Sequence, residues 1–160
     1  MTTRDRVLTA PLLVCLLMVA AVVGCAVLTR HPTPPLGGAI EMLADGDLDH
    51  DERERMLQRT LELASEADTP RALWAGLLAA IALQDRERYA AFDARLDRRV
   101  PLAPEQLRFL DLGDPLLANV LAAGMAQAAG DSDRAALRWR QVAAQARMTG
   151  NSFAAELADR

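Results

Sequence analysis

Oxygen ligands crowd most densely between Glu41 and Glu52, where Asp45, Asp47, Asp49, Asp51 and Glu52 surround Gly46 and His50. Carboxylates at this spacing have two uses. Spread around a loop, they can enclose a hard cation such as calcium, which takes several oxygen ligands at once. Set at a helix start, they accept backbone N–H groups that have no partner inside the helix. Asp49 with Glu52 three residues later has the spacing of a capping box, which makes the stretch a helix–turn–helix connection without any ion.

Nucleophilic and acid–base chemistry has little to work with. Both cysteines, Cys15 and Cys25, lie in one apolar run, and the only histidines are His31 and His50. Neither histidine has a nearby Ser or Cys partner, and no glycine-rich phosphate loop or HExxH spacing is present. The sequence therefore reads as a non-enzyme, with no catalytic residue, no cofactor and no evident small-molecule substrate. A net charge of −4, with every basic side chain an arginine, gives no case for nucleic acid.

The acidic stretch also resembles the second half of an EF-hand calcium loop. In that register Asp45, Asp49 and Glu52 match ligands and Gly46 matches the turn, while Glu41 stands for the opening Asp and Leu43 for the next oxygen ligand. The resemblance implies a degenerate calcium-responsive domain.

These residues need elements to position them, and the first is an anchor. The uncharged run from Val7 to Leu28 would be about 33 Å long as a helix, enough to cross a bilayer core. It is either an uncleaved signal anchor, a single transmembrane helix, or a signal segment. Val22-Val23-Gly24-Cys25 resembles the bacterial lipobox, which implies a lipoprotein whose mature chain starts at a lipidated Cys25. It departs from that motif in having Val22 where Leu is preferred, and Ala26-Val27-Leu28 prolongs the apolar run. Both versions stay open. Arg4 and Arg6 against Arg30 and His31 favour an amino end in the cytoplasm and an extracytoplasmic body. His31-Pro32-Thr33-Pro34-Pro35 is an extended spacer. The resulting organisation is residues 1–29 as anchor or signal segment, 30–37 as proline-rich spacer and 38–160 as a helical body.

The body is expected to be all-α, since aromatics are only 4% and strand-favouring runs are missing after residue 30. A short helix over 39–44 ends at Gly46, and a longer one runs from Asp49 to about Ala67. In that helix Met56, Leu57, Thr60, Leu61, Leu63, Ala64 and Ala67 face inward, and Arg53, Arg55, Arg59 and Glu66 face water. Thr69-Pro70 restarts the chain into 72–83, apolar all round yet too short to span a bilayer, hence a buried central helix. Helices follow over 86–98, with Tyr89, Phe92 and Leu96 inward, and over 105–110. Asp114-Pro115 starts a second nearly all-apolar helix over 116–129, and Gly130-Asp131 leads into an amphipathic one over 132–148. There Ala135, Trp139, Val142 and Ala146 face inward, and Arg134, Arg138, Gln141 and Gln145 face outward. A last helix follows Gly150. Trp74 and Trp139 are expected in the core.

Asp85-x-Glu87-Arg88-x-Ala90 is echoed by Asp131-x-Asp133-Arg134-x-Ala136, an internal repeat of helical hairpins. Gly130-Asp131 with Ala135, Trp139 and Val142 resembles the second helix of a tetratricopeptide repeat, the likeness covering residues 115–147. Ala123 stands where that family has its packing glycine, with Gly124 adjacent, and Ala126 where an aromatic is usual. The resemblance implies a stacked helical scaffold that binds peptides or proteins; a general antiparallel helical bundle gives the same spacing. The expected function is a membrane-anchored protein-interaction module, held by residues 7–28 or by lipid on Cys25. The alternatives are the calcium-responsive domain and a small accessory subunit of a membrane complex.

Overall fold

The computed structural model of the chain describes residues 35–160. The apolar run, Cys25 and most of the proline-rich spacer lie outside them. Among the described residues there are eight helices and no strand. They are α1 (Leu36–Ala44), α2 (His50–Ser65), α3 (Pro70–Ala82), α4 (Arg86–Arg95), α5 (Pro104–Phe109), α6 (Pro115–Ala128), α7 (Ser132–Thr149) and α8 (Ser152–Ala158). Among the described residues no helix is long and apolar enough to cross a membrane.

Six of the eight helices start where the N-cap residue supplies a side-chain acceptor for orphan N–H groups. Asp49 Oδ1 accepts from Glu52 N at 2.8 Å, and Glu52 Oε2 accepts from Asp49 N at 3.4 Å, completing the capping box of α2. Thr69 caps α3 with Pro70 at its first position. Asp85, Asp114, Asp131 and Asn151 cap α4, α6, α7 and α8 through their side chains.

Three turns share one geometry. Gln84, Gly130 and Gly150 take left-handed φ values of 56°, 74° and 73°. The next residues, Asp85, Asp131 and Asn151, donate their N–H to Ala80 O, Ala126 O and Ala146 O at 2.8, 2.9 and 2.9 Å. This six-to-one bond closes a helix end by the Schellman arrangement, and the following side chain opens the next helix. The echo between Asp85 and Asp131 is therefore a repeated turn.

The core is built around α3. From Ala72 to Ile81 every residue is buried, because α2, α4 and α6 all pack against this helix. Close approach needs glycine at two places. A Cβ on Gly76 would stand 2.4 Å from the Phe92 ring, and one on Gly124 would stand 2.5 Å from Trp74 Cη2. Trp74 thus links α3 to α6 and is itself 1% exposed. Asn151, one of two buried polar residues among the described residues, donates to Ile81 O at 2.9 Å and so ties the start of α8 to the end of α3.

Some boundaries and faces differ from the sequence reading. Helix α1 begins at Leu36, so Leu36 and Gly37, read as spacer, form its first turn after the extended Pro35. Helix α4 stops at Arg95 rather than Arg98, since Leu96 turns to extended backbone while remaining buried. The Arg95 guanidinium holds that end by donating to Ala67 O at 2.8 Å and to Asp68. Arg53 is not directed to water: it donates to Leu112 O at 2.9 Å and stands 3.7 Å from Asp114, pinning the segment before α6. Arg138 and Gln145 likewise turn toward α6, where both bond the Asn119 amide at 2.9 Å.

Candidate functional site

The acidic turn is placed first. Asp45 is the C-cap residue of α1, Gly46 follows in the left-handed region with φ 73°, and Asp49 and Glu52 satisfy each other's backbone in the capping box. All three carboxylates and His50 are exposed. Among the described residues, no three His, Cys, Asp or Glu side chains converge as they would around a metal ion. Helix capping accounts for the spacing of Asp49 and Glu52.

A groove of about 550 Å³ opens instead among α5, the segment after it, α6 and the start of α7. Its floor is apolar, from Leu110, Leu112, Leu121 and Ala126, all buried. Its α5 wall is held by Phe109, whose ring lies 3.8 Å under the Arg71 guanidinium and against Gly37. Arg108 and Arg134 stand at the rim, exposed and without an ion-pair partner among the described residues. Asp111 and Asp131 also line it, each with one oxygen taken by a backbone N–H, of Gly113 and Arg134 respectively.

Helix α7 presents a second apolar stripe on its outer side. Ala135, Val142, Ala143 and Ala146 enter the core, while Leu137, Ala144 and Met148 remain exposed at helical spacing. Leu137 is 53% and Met148 85% exposed, and Arg140 beside them has no ion-pair partner among the described residues. The Arg147 guanidinium, by contrast, donates to Asp159 at 3.1 Å.

No family model, curated protein or solved structure matches the chain. The chemistry of these surfaces rests on the residues alone.

Trp139, expected in the core, is half-buried and walls a basin of about 260 Å³ with Tyr89, Arg98 and Gln127. Arg98 donates to Asp93 and to Tyr89 Oη, the latter at 3.4 Å. Burial opposes its charge, but the Asp93 hydrogen bond and charge raise its pKa overall. The basin's cation is thus already satisfied internally. Among the described residues, Arg108 and Arg134 at the groove rim, Arg140 on α7 and Arg99 before α5 make no ion pair. Arg134 belongs to the outward-facing side read from the sequence. Arg108 was missed, because nothing in a six-residue helix indicates that it borders a cavity built by a helix further along the chain.

Proposed function

We propose that the chain is a membrane-tethered, non-catalytic interaction module that holds a partner protein on the outer face of α7. The observation that carries this reading is exposed Leu137, Ala144 and Met148 on one side of α7, with Gln141 among them and Arg140 beside them without an ion-pair partner among the described residues. Met and Arg are enriched at protein interfaces, and a large apolar side chain left in water beside a free guanidinium fits such a surface. The fitting partner presents an apolar groove edged by carboxylates. The paired hairpins support the tetratricopeptide-like reading by their repeated turn, and the run from Val7 to Leu28 supports the tether, either as a span or through lipid on Cys25.

A photo-crosslinking residue at Leu137 of the full chain in its native cells tests the partner face, with Glu54 on α2 as the exposed control. One reproducible adduct from position 137, absent from position 54 and weakened by Arg140→Glu, is the expected result. No adduct at 137, or the same adducts from both positions, would contradict it. The tether is tested by the intact mass of the protein from the membrane fraction: full-length for an anchor, starting at lipidated Cys25 for a lipoprotein. An unlipidated chain recovered in the soluble fraction would contradict both.

A further inference from the structure

The second hairpin is less covered than the first, and the difference has the form of a helix. Before α3 comes α2, 16 residues long and packed along it. Before α6 comes α5, six residues long and packed mainly against α1. Beside α5 the flank of α6 stays open at Ala118, Ala122, Met125 and Ala129, which line the groove of about 550 Å³. These four positions follow a four-three-four spacing, the row along which a second helix packs. The outer side of α7 has the same period at Leu137, Gln141, Ala144 and Met148, all exposed. Three of the four groove positions are alanine, whose small side chains leave space between helices for long ones such as Leu137 and Met148.

Charge matches as period does. The rim is balanced, with Arg108 and Arg134 against Asp111 and Asp131, so it selects for neither an anion nor a cation. Its complement is an apolar face that carries both signs. The outer side of α7 has Asp133 four residues before Leu137 and Arg140 three residues after it. Both are exposed, and neither makes an ion pair among the described residues. At the rim, Asp111 and Asp131 each use one oxygen on a backbone N–H, which leaves the other for a guanidinium. The two features also adjoin, since Arg134 lines the groove and Leu137 lies one turn further along α7. A surface that holds both halves of a contact is self-complementary under a two-fold axis. We infer that the partner held on α7 is a second copy of this chain, with the outer side of each α7 seated in the other copy's groove. The inference rests on the proposed use of the α7 face and names its occupant.

The test co-expresses two differently tagged full-length copies in native cells, one of them with a photo-crosslinking residue at position 137. An adduct joining the two tags should form and map by mass spectrometry to residues 107–126 of the other copy. Ala122 is half-buried on the groove flank, and Ala122→Glu puts a charge where the apolar face must seat. Placed in the copy without the crosslinker, it should cut the adduct at least about tenfold. Placed in the crosslinker-bearing copy, whose α7 still meets an intact groove, it should cut the adduct much less. Misfolding of the variant would remove the adduct from either placement, so equal losses, or no loss at all, overturn the inference. Adducts between tags that join α7 to α7 overturn it as well. An adduct from position 137 to a different protein alone overturns the second copy and leaves the α7 face as a docking surface, whereas no adduct of any kind overturns both.

Discussion

Helices α3 and α6 are near twins in composition and unlike in surroundings. Both start with Pro after a capping residue, both are almost wholly apolar, and both end in the same left-handed turn before an Asp-capped helix. Yet α3 is buried without a break from Ala72 to Ile81, whereas α6 leaves Ala118, Ala122 and Met125 at least partly open. The difference lies in neighbours. Helices α2, α4 and α6 close around α3, while α6 has α7 on one side, Trp74 of α3 behind it and a groove on its free flank. Apolar character alone does not tell a sealed core helix from one with a surface left to receive something.

Substitutions that attack the sealed helix should therefore cost far more than those on the open one. Trp74→Ala removes the side chain joining α3 to α6 and should cost about 3–5 kcal/mol in denaturant unfolding. The expected loss is tempered by one feature, since Trp74 Nε1 is buried without a hydrogen-bond partner among the described residues. Gly124→Ala should cost about 1–3 kcal/mol, because the added methyl meets the same ring at 2.5 Å. If that variant were as stable as the parent, the contact between α3 and α6 would be looser than described. Asn151→Ala strips the cap of α8 and the donor to Ile81 O, for about 1–2 kcal/mol measured the same way.

The two hairpin turns give a reciprocal test. Gln84 bears a side chain at φ 56° where the second hairpin has Gly130 at 74°. Gln84→Gly should raise stability by about 0.5–1 kcal/mol and Gly130→Gln should lower it by a similar amount. The smallest effect concerns pH. Hydrogen bonds from Arg160 and Arg86 hold the Glu156 carboxyl below its ordinary value. A lowered folded pKa adds stability above the usual carboxylate range, and that increment is lost as pH falls through the folded value. Glu156→Gln should slightly flatten acid unfolding below about pH 4.5 and leave neutral stability nearly unchanged, since the pair is exposed.

Much of the architecture was legible because it is local. Thr69-Pro70, Asp114-Pro115, Gly130-Asp131 and the box of Asp49 with Glu52 act within a few residues of chain, and each marks the helix start it promised. Faces decided by distant partners were not. Arg53, Arg138 and Gln145 sit at positions that periodicity assigns to water, but Leu112, Asp114 and Asn119 draw them inward. Gly124 reads as an off-register packing glycine in a single hairpin, and its purpose is visible only with Trp74 beside it. The groove is the extreme case, since its rim arginines are contributed by helices separated by α6.

Methionines offer the most direct measurement of whether the open side of the second hairpin is occupied. Met148 is 85% exposed on α7, Met125 lines the groove, and Met42 on α1 is 42% exposed and far from either surface in sequence. Hydroxyl-radical oxidation of each can be compared between intact cells and the purified full-length chain diluted to a monomer. A second copy seated on α7 and in the groove predicts that Met148 and Met125 are protected in cells relative to the diluted chain, with Met42 unchanged. Equal oxidation of Met148 and Met125 in both settings would contradict that occupancy.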